Sequence, residues 1–397
     1  MKYVVIGGGI AGVSCANEML RLESSPQLEV LLISASSFVK SVENYRKVGQ
    51  YGEKFDVKES EVSEIFADKR LKFLNRKVET WNATNKTILL ENQEVVTYDK
   101  LCIATGSSPR YFEIQGNSKI ERNRVLFLRD TQSARQLQTQ LGNSKNVLIV
   151  GNGGIATELI YELKNVQVTW MVRDAWICAS FFPEDVEKFI ENRLMAGRAD
   201  GKKLDGIQKH LQYSTSSDSA SSILGPALGP DWCSGIDFEA GNSGNSANRS
   251  IKILRNSEIS RLSPSNSEVV VEYKNRIDKT TASFKADLVI WAGGVKPNSE
   301  IWSTEKSLKT SPNGGICIND ACETSIPDVF ACGDVCTLTT SEVTSSLWNQ
   351  RQLWTQARQF GEVCGRSMVA GADEARMQNM YFELFSHCTT FFGLKVS

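Results

Sequence analysis

Two stretches of the chain show the same succession of a short apolar run, a glycine-rich turn, an amphipathic segment and a second apolar run. The first stretch predicts a strand, turn, helix and strand at Tyr3–Ile6, Gly7–Gly12, Val13–Leu22 and Glu29–Ile33. The second predicts the same elements at Val147–Val150, Gly151–Ala156, Thr157–Leu163 and Val166–Val172. Strands that alternate with helices favour parallel sheets with helices on both faces. We therefore predict an α/β fold with two Rossmann-like dinucleotide-binding domains.

The first turn has the spacing G-x-G-x-x-G between a strand and a helix. Gly7 permits the sharp turn, Gly9 lets the backbone approach a pyrophosphate, and Gly12 lets the helix pack closely on the strand. A glycine-rich turn without a ligand is the alternative, which the strand–turn–helix context disfavours. The second strand ends at Ser34, where a carboxylate would normally bind the ribose hydroxyls. Ser34 can supply one weaker hydrogen bond.

The second turn carries Gly151 and Gly153, with Ala156 at the third position, which this fingerprint allows. The strand after its helix reaches Arg173 without an acid. A carboxylate at this point favours NADH, whereas an arginine accommodates the 2′-phosphate of NADPH. We therefore expect NADPH or dual use, with Arg173 at the phosphate. The alternative, an Arg173 side chain that only lies in solvent, stays open.

Length, net charge and cysteine content limit the classes of protein to which the chain can belong. A length of 397 residues predicts two or more domains, and a formal net charge of −1 gives no bulk attraction to nucleic acid or anionic membrane. No uninterrupted apolar run is long enough to cross a bilayer. The chain enters a strand at Tyr3, which leaves no room for a targeting segment. Ten scattered cysteines suit a reducing compartment, so we expect a cytosolic or nuclear protein.

Two parts of the chain depart from the alternating pattern. Between residues 197 and 250 small polar residues replace the apolar periodicity, which predicts a flexible insertion. Near the end, Phe382–Phe385 and Phe391–Val396 have the character of core strands, yet strands without neighbours expose apolar side chains. We therefore expect residues 381–397 to be the stub of a truncated C-terminal domain. A chain that cannot fold without that domain is the alternative.

Three further segments follow the two units in order: Tyr98–Gly106 ending in A-T-G, Asp287–Asn298 containing W-A-G-G-V-K-P-N, and Thr324–Asp334 ending in A-C-G-D. Over residues 1–380 this arrangement resembles the pyridine nucleotide-disulphide oxidoreductase family. The resemblance implies an FAD-binding domain in two parts, residues 1–112 and 289–380. Between them it implies an NAD(P)H-binding domain, residues 113–288.

The resemblance also implies contacts with the cofactors. In that family the A-T-G stretch, here Thr105 and Gly106, lines the crossover between FAD and NAD(P)H. The aspartate of the A-x-G-D stretch, here Asp334, binds the ribityl chain and phosphate of FAD. The backbone at Val78 matches a segment that contacts the adenine.

Lys40 is the candidate cation for the flavin. A positive charge beside flavin N5 would stabilise the anionic reduced form, and Lys40 follows the second strand closely in sequence. Glu158 is its expected partner, because related reductases place a glutamate at this point of the helix beside a flavin lysine. The alternative is that Lys40 is a solvated surface lysine.

A redox disulphide, which the family name suggests, has no matching residues here. Disulphide reductases of the family keep a cysteine pair after the first unit or in the nicotinamide domain, but no cysteine occurs from residue 34 to residue 98. Cys178 and Cys233 are far apart and not in a C-x-x-C arrangement. With two histidines and no ligand spacing, we expect no metal site. Two closer pairs are interpreted as buried structural thiols, namely Cys317 with Cys322 and Cys332 with Cys336.

We therefore predict an FAD-dependent NAD(P)H:acceptor oxidoreductase. Hydride would pass from the nicotinamide to flavin N5, and electrons would continue to an external acceptor that the sequence does not identify. The alternative is a redox-sensing interaction protein with slow turnover. Ala227–Trp232 and Leu353–Gln359 resemble one branch of the family, which is associated with NAD(P)H-dependent protection of the tRNA ligase RtcB complex from oxidation. The weak charge pattern favours contact with protein rather than RNA.

Overall fold

The computed structural model of the chain describes residues 1–48, 52–61, 68–110, 124–196, 213–215, 236, 238–240, 250–339, 350, 352–376, 389–391 and 394–396. The contacts separate two compact units. The first contains Met1–Ser108, Lys209–Asp231 and Lys296–His387, and the second contains Pro109–Gln208, Trp232–Val295 and Cys388–Ser397. Most of the predicted insertion and most of the predicted C-terminal stub lie outside the described residues.

A five-stranded parallel sheet forms the centre of the first unit. In order across the sheet, its strands are β22 (Val329–Ala331), β9 (Lys100–Ile103), β1 (Lys2–Ile6), β2 (Glu29–Ser34) and β5 (Leu71–Asn75). Val4, Val5 and Leu32 are fully buried. Continuous apolar runs of this kind are typical of parallel strands that are covered on both faces. The predicted α/β class is therefore confirmed.

Helices α1 (Ile10–Leu22), α5 (Trp354–Ala370) and α6 (Ala372–Arg376) belong to the first unit. Helix α5 approaches the backbone of α1 at two glycines. A Cβ on Gly361 would overlap the carbonyl oxygen of Ala11, and a Cβ on Gly365 would overlap that of Cys15. Only residues without a side chain allow this close approach of two backbones.

Smaller groups of strands complete the first unit. Strands β3 (Phe38–Val48) and β4 (Gly52–Glu61) form an antiparallel hairpin, and β14 (Tyr213–Thr215) pairs with β4. A second antiparallel sheet contains β6 (Val78–Asn82), β7 (Thr87–Leu90) and β8 (Val95–Thr97), and a parallel pair contains β21 (Ile316–Ile318) and β23 (Cys336–Leu338). Strand β14 lies within the segment for which the sequence predicts a flexible insertion. No apolar pattern indicates this strand, because strand pairing uses backbone groups and needs no apolar periodicity.

The second unit has its own five-stranded parallel sheet. Its order is β11 (Val125–Phe127), β19 (Leu288–Trp291), β12 (Asn146–Val150), β13 (Gln167–Met171) and β15 (Ser250–Leu254). An antiparallel sheet contains β16 (Ser257–Ser265), β17 (Glu268–Asn275) and β18 (Thr281–Ala286). The helices are α2 (Thr131–Leu141), α3 (Gly154–Glu162) and α4 (Glu187–Ala196). Strand β24 (Thr389–Phe391) pairs with β25 (Leu394–Val396) in this unit. The short strands β10 (Ser107–Pro109) and β20 (Val295–Pro297) also pair, and each contains residues of both units.

Both helices that follow the glycine turns begin earlier than predicted. Helix α1 starts at Ile10 and α3 at Gly154, so that Gly9 and Gly153 are the N-caps. Neither cap makes a side-chain hydrogen bond, and the Ser, Thr, Asp or Asn that usually marks a helix start is absent. The apolar spacing therefore gave no sign of the first helical turn. Among the described helices, none combines the length and the apolar character that a membrane span requires.

Candidate functional site

The glycine turn after β1 has the geometry of a phosphate cradle. Gly7 has φ +125°, and a Cβ there would overlap the carbonyl oxygen of Ala104. A Cβ on Gly12 would overlap the carbonyl oxygen of Gly7, so α1 starts close against β1. A Cβ on Gly9, by contrast, would meet no described atom within 4 Å. The backbone at Gly9 is thus open at the N-terminus of α1, as a bound pyrophosphate requires.

The end of β9 is fixed to a segment from the far part of the chain. Thr105 Oγ1 donates a hydrogen bond to the Asn298 carbonyl, and Asn298 Nδ2 donates one to the Thr105 carbonyl, both at 2.8 Å. Gly106 has φ +65°, and its carbonyl accepts from the Asn298 N–H at 2.9 Å. The Trp302 indole N–H donates to Thr105 Oγ1 at 3.3 Å. The predicted residues Thr105 and Gly106 therefore form a fixed corner that follows Ala104, against which the glycine turn packs.

Asp334 lies in a 3-10 turn, Gly333–Val335, and accepts a hydrogen bond from Ser107 Oγ at 3.0 Å. A Cβ on Gly333 would press on the side chain of Ala11, so this turn lies against the first turn of α1. Burial raises the pKa of the Asp334 carboxyl to about 6, and the Ser107 hydrogen bond opposes the rise. An ionised carboxylate accepts several hydrogen bonds, which leaves acceptor sites for the hydroxyl groups of a ligand.

Ser34 and Val78, also predicted from the sequence, lie in the same unit. Ser34 ends β2 and is buried, and a Cβ on Gly8 would press on its hydroxyl. Ser34 Oγ accepts from the Ser36 N–H at 3.2 Å, which leaves its O–H group as a donor. Val78 begins β6 with its side chain in the core, so its backbone is the part that a ligand could contact.

Lys40 is only 2% exposed, so the alternative of a solvated surface lysine is wrong. Its backbone N–H donates to the carbonyl of Gly8 at 2.9 Å, which attaches β3 to the glycine turn. Its Nζ lies 4.3 Å from the centroid of the Trp354 ring. Across the hairpin, Lys40 stands opposite Glu59, which is also buried. The structure therefore places the buried Lys40 side chain next to the glycine turn.

The N-terminus of α5 lies in the same neighbourhood. Trp354, its first residue, packs against a buried cluster of Ile10, Phe55 and Val57. The cap residue makes no side-chain hydrogen bond, and the buried Thr355 Oγ1 has no hydrogen-bond partner among the described residues. An unsatisfied buried hydroxyl is a group that a polar ligand can satisfy. The first unit therefore fits a large polar cofactor.

The second glycine turn repeats the geometry of the first. Gly151 has φ +136°, and a Cβ there would overlap the carbonyl oxygen of Ala292. Gly153 caps α3, and a Cβ on it would meet no described atom within 4 Å. Ala156, at the third position, is fully buried. The second unit thus has an open cradle of its own.

The residues that follow β13 lie next to the second glycine turn and are hydrogen-bonded to it. Asn152 Nδ2 donates to the Asp174 carboxylate at 2.8 Å, and Asn152 Oδ1 accepts from the Cys178 N–H at 2.6 Å. The first acid after the strand is therefore bound to the turn itself. Arg173 is exposed, and its carbonyl accepts from a guanidinium N–H of Arg276 at 3.2 Å. The Arg276 guanidinium therefore contacts the backbone of Arg173, and it also lies 3.8 Å from the Glu258 carboxylate.

Glu158 lies in α3 with a half-buried side chain. It belongs to the second unit, whereas Lys40 belongs to the first. Their pairing therefore stays a prediction, and the residue opposite Lys40 within its own unit is Glu59.

The eight cysteines that the structure describes are free thiols. Burial raises the pKa of Cys336 and Cys364 well above the ordinary value, and it raises the pKa of Cys178 to about 11. The thiolate is the reactive form of cysteine, so thiols held in this state are poor redox nucleophiles. Cys178, Cys336 and Cys364 therefore give no support to electron transfer through a thiol pair.

Three thiols meet in the core of the first unit. The Sγ atoms of Cys15, Cys102 and Cys364 lie within 4.8 Å of one another, and Cys332 Sγ lies 3.5 Å from Cys102 Sγ. Soft metal ions accept such a set of ligands. All four residues are fully buried within the apolar core, where free cysteines behave as small hydrophobic residues. We interpret the group as core packing, which the wide separation in sequence concealed.

Sequence reasoning missed Ser107, Asn298, Glu59 and Trp354. A signal existed for two of them. Asn298 ends the G-G-V-K-P-N segment, and Glu59 continues the alternation of Phe55 and Val57 on the buried face of β4. Ser107 and Trp354 make contacts that depend on residues far away in sequence, and no local pattern reports those.

Comparison with known proteins gives consistent matches. The pyridine nucleotide-disulphide oxidoreductase family matches residues 1–198 and 240–361. Pyridine nucleotide-disulfide oxidoreductase domain-containing protein 1 of Drosophila melanogaster is 36% identical over 399 residues, which cover 100% of this chain and 82% of that protein. The predicted family is confirmed by these matches.

Solved structures support the same fold. An NAD-dependent persulfide reductase from A. fulgidus has a TM-score of 0.67 at 18% identity and covers 98% of this chain and 62% of its own. A water-forming NADH oxidase from Lactobacillus brevis, bound to NADH, has a TM-score of 0.63 at 19% identity and covers 93% of this chain and 69% of its own. At these identities the likeness concerns the fold.

Proposed function

The chain belongs to the pyridine nucleotide-disulphide oxidoreductase family, and from this we propose that it is an FAD-dependent NAD(P)H oxidoreductase that reduces an external acceptor. The repeated cradle is the observation that carries the proposal. Gly9 and Gly153 each leave an open backbone at the start of a helix, at the carboxyl end of a parallel strand. Two such cradles suit two dinucleotides.

The first unit supplies the groups that would hold FAD. Backbone N–H groups of the turn Gly7–Gly12 would bind the pyrophosphate together with the helix dipole. Asp334 would accept hydrogen bonds from ribityl hydroxyls, and the O–H of Ser34 would donate to the ribose. Thr355 and the N-terminus of α5 offer further polar contacts. Thr105 and Gly106 would keep the wall of the site rigid through Asn298.

When bound, FAD would supply the redox chemistry that connects the nicotinamide to a second substrate. Lys40 would contribute a fixed positive charge to this site. Because Lys40 is buried, its field is screened less than that of a surface lysine. A positive charge that is fixed in advance favours the anionic reduced flavin without reorganisation of the protein.

The second unit would bind NAD(P)H, with NADPH or dual use as the proposed preference. Asp174, the nearest acid after β13, is hydrogen-bonded to Asn152 and is therefore engaged within the turn. Arg173 is exposed at the end of the strand. Guanidinium groups bind phosphate oxygens well, so Arg173 suits a 2′-phosphate.

An external acceptor is proposed because the described cysteines are free and their pKa values, where burial dominates, are raised. The relatives take different acceptors, as the names persulfide reductase and NADH oxidase indicate. The acceptor therefore has to be identified by experiment. A reduced protein that is oxidised slowly by all soluble acceptors would instead support the redox-sensing interaction protein, with the tRNA ligase RtcB complex as the partner to examine.

The cofactor assignment is tested by releasing the bound flavin from the purified chain and identifying it, followed by reconstitution of the flavin-free protein with FAD or FMN. We expect one FAD per chain and much weaker binding of FMN, which lacks the adenosine half and one phosphate. Equal affinity for FMN and FAD would contradict the role of the Gly7–Gly12 cradle. A folded chain that binds neither flavin would overturn the proposed function.

A further inference from the structure

We propose that Glu59 and Trp354 hold Lys40 in its charged form at the FAD site, so that the β3–β4 hairpin sets the reduction potential of the flavin. The inference rests on the proposed function, because it assumes that the first unit binds FAD. Glu59 acts in it as a positioning residue: its effect on the flavin passes through Lys40.

The alternation of side chains in the hairpin places Lys40 and Glu59 opposite each other on one face. Phe55 and Val57 are buried on one face of β4, and Glu59 follows on the same face by the period of two. Lys40 is the direct partner of Glu59 in the antiparallel register. Side chains of directly opposite residues have Cβ atoms about 4.5–5.5 Å apart. A lysine and a glutamate thus interrupt an otherwise apolar face at the same level.

Burial makes this pairing necessary. Lys40 is 2% exposed and Glu59 is 6% exposed. Burial alone favours the neutral form of a lysine, whereas an opposite charge close by restores the charged form. Removing one of two opposite charges that are buried across from each other therefore changes the state of the other. Without Glu59, we expect Lys40 to lose its proton or to leave its place.

Trp354 provides the second support. The Lys40 ammonium lies 4.3 Å from the centroid of the indole ring, within the range of a cation–π contact. One helical turn later on α5, the Arg358 guanidinium lies 4.5 Å from the ring centroid of Tyr45, a residue of β3. Two cation–π contacts on one face of α5 therefore attach it to the hairpin, with the cation on β3 in one contact and on α5 in the other.

The backbone connects this arrangement to the cofactor cradle. The Lys40 N–H donates to the Gly8 carbonyl inside the glycine turn at 2.9 Å. Ile10, the first residue of α1, belongs to the buried cluster with Phe55 and Val57. The hairpin, the start of α1 and the start of α5 are thus packed together within one unit, and the Lys40 charge is fixed relative to all three.

The test compares flavin midpoint potentials of FAD-loaded Glu59→Gln, Lys40→Met and the double variant, measured by anaerobic equilibration with a reference dye. Loss of the Lys40 charge should lower the potential, so both single variants should shift the ratio of reduced to oxidised flavin at fixed potential at least tenfold. For a two-electron couple this equals about 30 mV. The flavin midpoint potential of the double variant should be no lower than that of Lys40→Met alone.

The direction of the shift separates the proposal from a direct charge effect. Removing the negative charge of Glu59 without any change at Lys40 would raise the potential, because the anionic reduced flavin would then be repelled less. A raised or unchanged potential in Glu59→Gln overturns the inference. Glu43→Gln is the matched control, since Glu43 pairs with Lys58 on the exposed face of the same hairpin at 4.0 Å. Its potential should equal that of the wild type.

A second measurement needs no flavin. In urea unfolding of the flavin-free chain, each single variant leaves one buried charge without its partner, whereas the double variant leaves none. The double variant should therefore be at least as stable as either single variant, and additive losses would overturn the pairing. If the wild type binds no FAD, the proposed function fails, but this comparison still decides whether Glu59 holds Lys40.

Discussion

Thr105 and Asn298 hold each other through two hydrogen bonds, although 193 positions separate them in the sequence. Thr105 follows β9, and Asn298 follows the short strand β20, so two distant segments form one corner of the candidate FAD site. Each residue uses its side chain on the backbone of the other. The corner therefore depends on both chain segments, and neither segment forms it alone.

Replacing Asn298 by alanine should open this corner. The variant loses the hydrogen bond to the Thr105 carbonyl and the one that Asn298 Oδ1 accepts from Ser108 Oγ at 2.6 Å. We expect a loss of about 1–3 kcal/mol in the free energy of unfolding, because partly buried polar partners lose their hydrogen bonds. FAD should also dissociate faster. Asn92→Ala, in an exposed turn, is the control for urea unfolding and flavin retention; equal behaviour of the two variants would refute the structural role of Asn298.

Gly9→Ala should weaken FAD binding at least tenfold while the protein stays folded. The backbone of Gly9 has φ −77°, which alanine accepts, and the added Cβ meets no described protein atom. The methyl group would instead occupy the space that the pyrophosphate needs. Titration of the flavin-free protein with FAD, followed by flavin fluorescence, measures the change.

Gly153→Ala provides the reciprocal control for the Gly9 variant. Its backbone is equally open, so the methyl group should raise the KM for NADPH at least tenfold and leave the affinity for FAD unchanged. If both variants lost FAD, or both kept full affinity for both nucleotides, the assignment of one cradle to each dinucleotide would be wrong.

Asp334 should make the flavin-free protein less stable as the pH rises from about 4 to 6. Burial raises the pKa of the Asp334 carboxyl to about 6, so the folded state binds its proton more tightly than the unfolded state does. At pH 4 the carboxyl is protonated in the folded state and partly ionised in the unfolded state, so its effect on stability is small, whereas above pH 6 ionisation costs the folded state about 2–3 kcal/mol. Asp334→Asn should therefore be more stable than the wild type at pH 7 and nearly equal to it at pH 4. A stability difference that is the same at both pH values would contradict this prediction.

Arg173→Ala should raise the KM for NADPH about 10- to 100-fold and leave the KM for NADH nearly unchanged. The guanidinium would contact only the 2′-phosphate, which NADH lacks. Steady-state kinetics with both nucleotides measures the ratio. Arg261→Ala, an exposed arginine of β16, should change neither value. An equal rise in the KM values for NADPH and NADH in Arg173→Ala would show that the residue does not bind the 2′-phosphate.

The sequence was sufficient where the information is local. The roles of Gly7, Gly9 and Gly12 follow from a strand–turn–helix pattern of six residues, and the structure has the corresponding geometry at each. The two parallel sheets followed from the alternation of apolar runs. The starts of α1 and α3 were placed too late because a glycine cap carries no side-chain signal.

The sequence was insufficient where a residue's surroundings come from distant segments. Lys40 could be a surface or a buried lysine, and only its packing against Trp354, more than 300 positions away, decides the question. The same holds for Ser107 with Asp334 and for the thiols around Cys102. Local patterns report which side chains are present, whereas long-range pairing determines what each of them contacts.

An anaerobic titration of the FAD-loaded chain with NADPH, followed through the flavin absorption bands, tests the proposed hydride transfer itself. We expect one equivalent of NADPH to bleach the flavin, and air or an added acceptor to restore the oxidised spectrum. These results would require bound FAD, nicotinamide binding and hydride transfer in one protein. A chain that carries FAD but is not reduced by excess NADPH or NADH would contradict the proposed oxidoreductase.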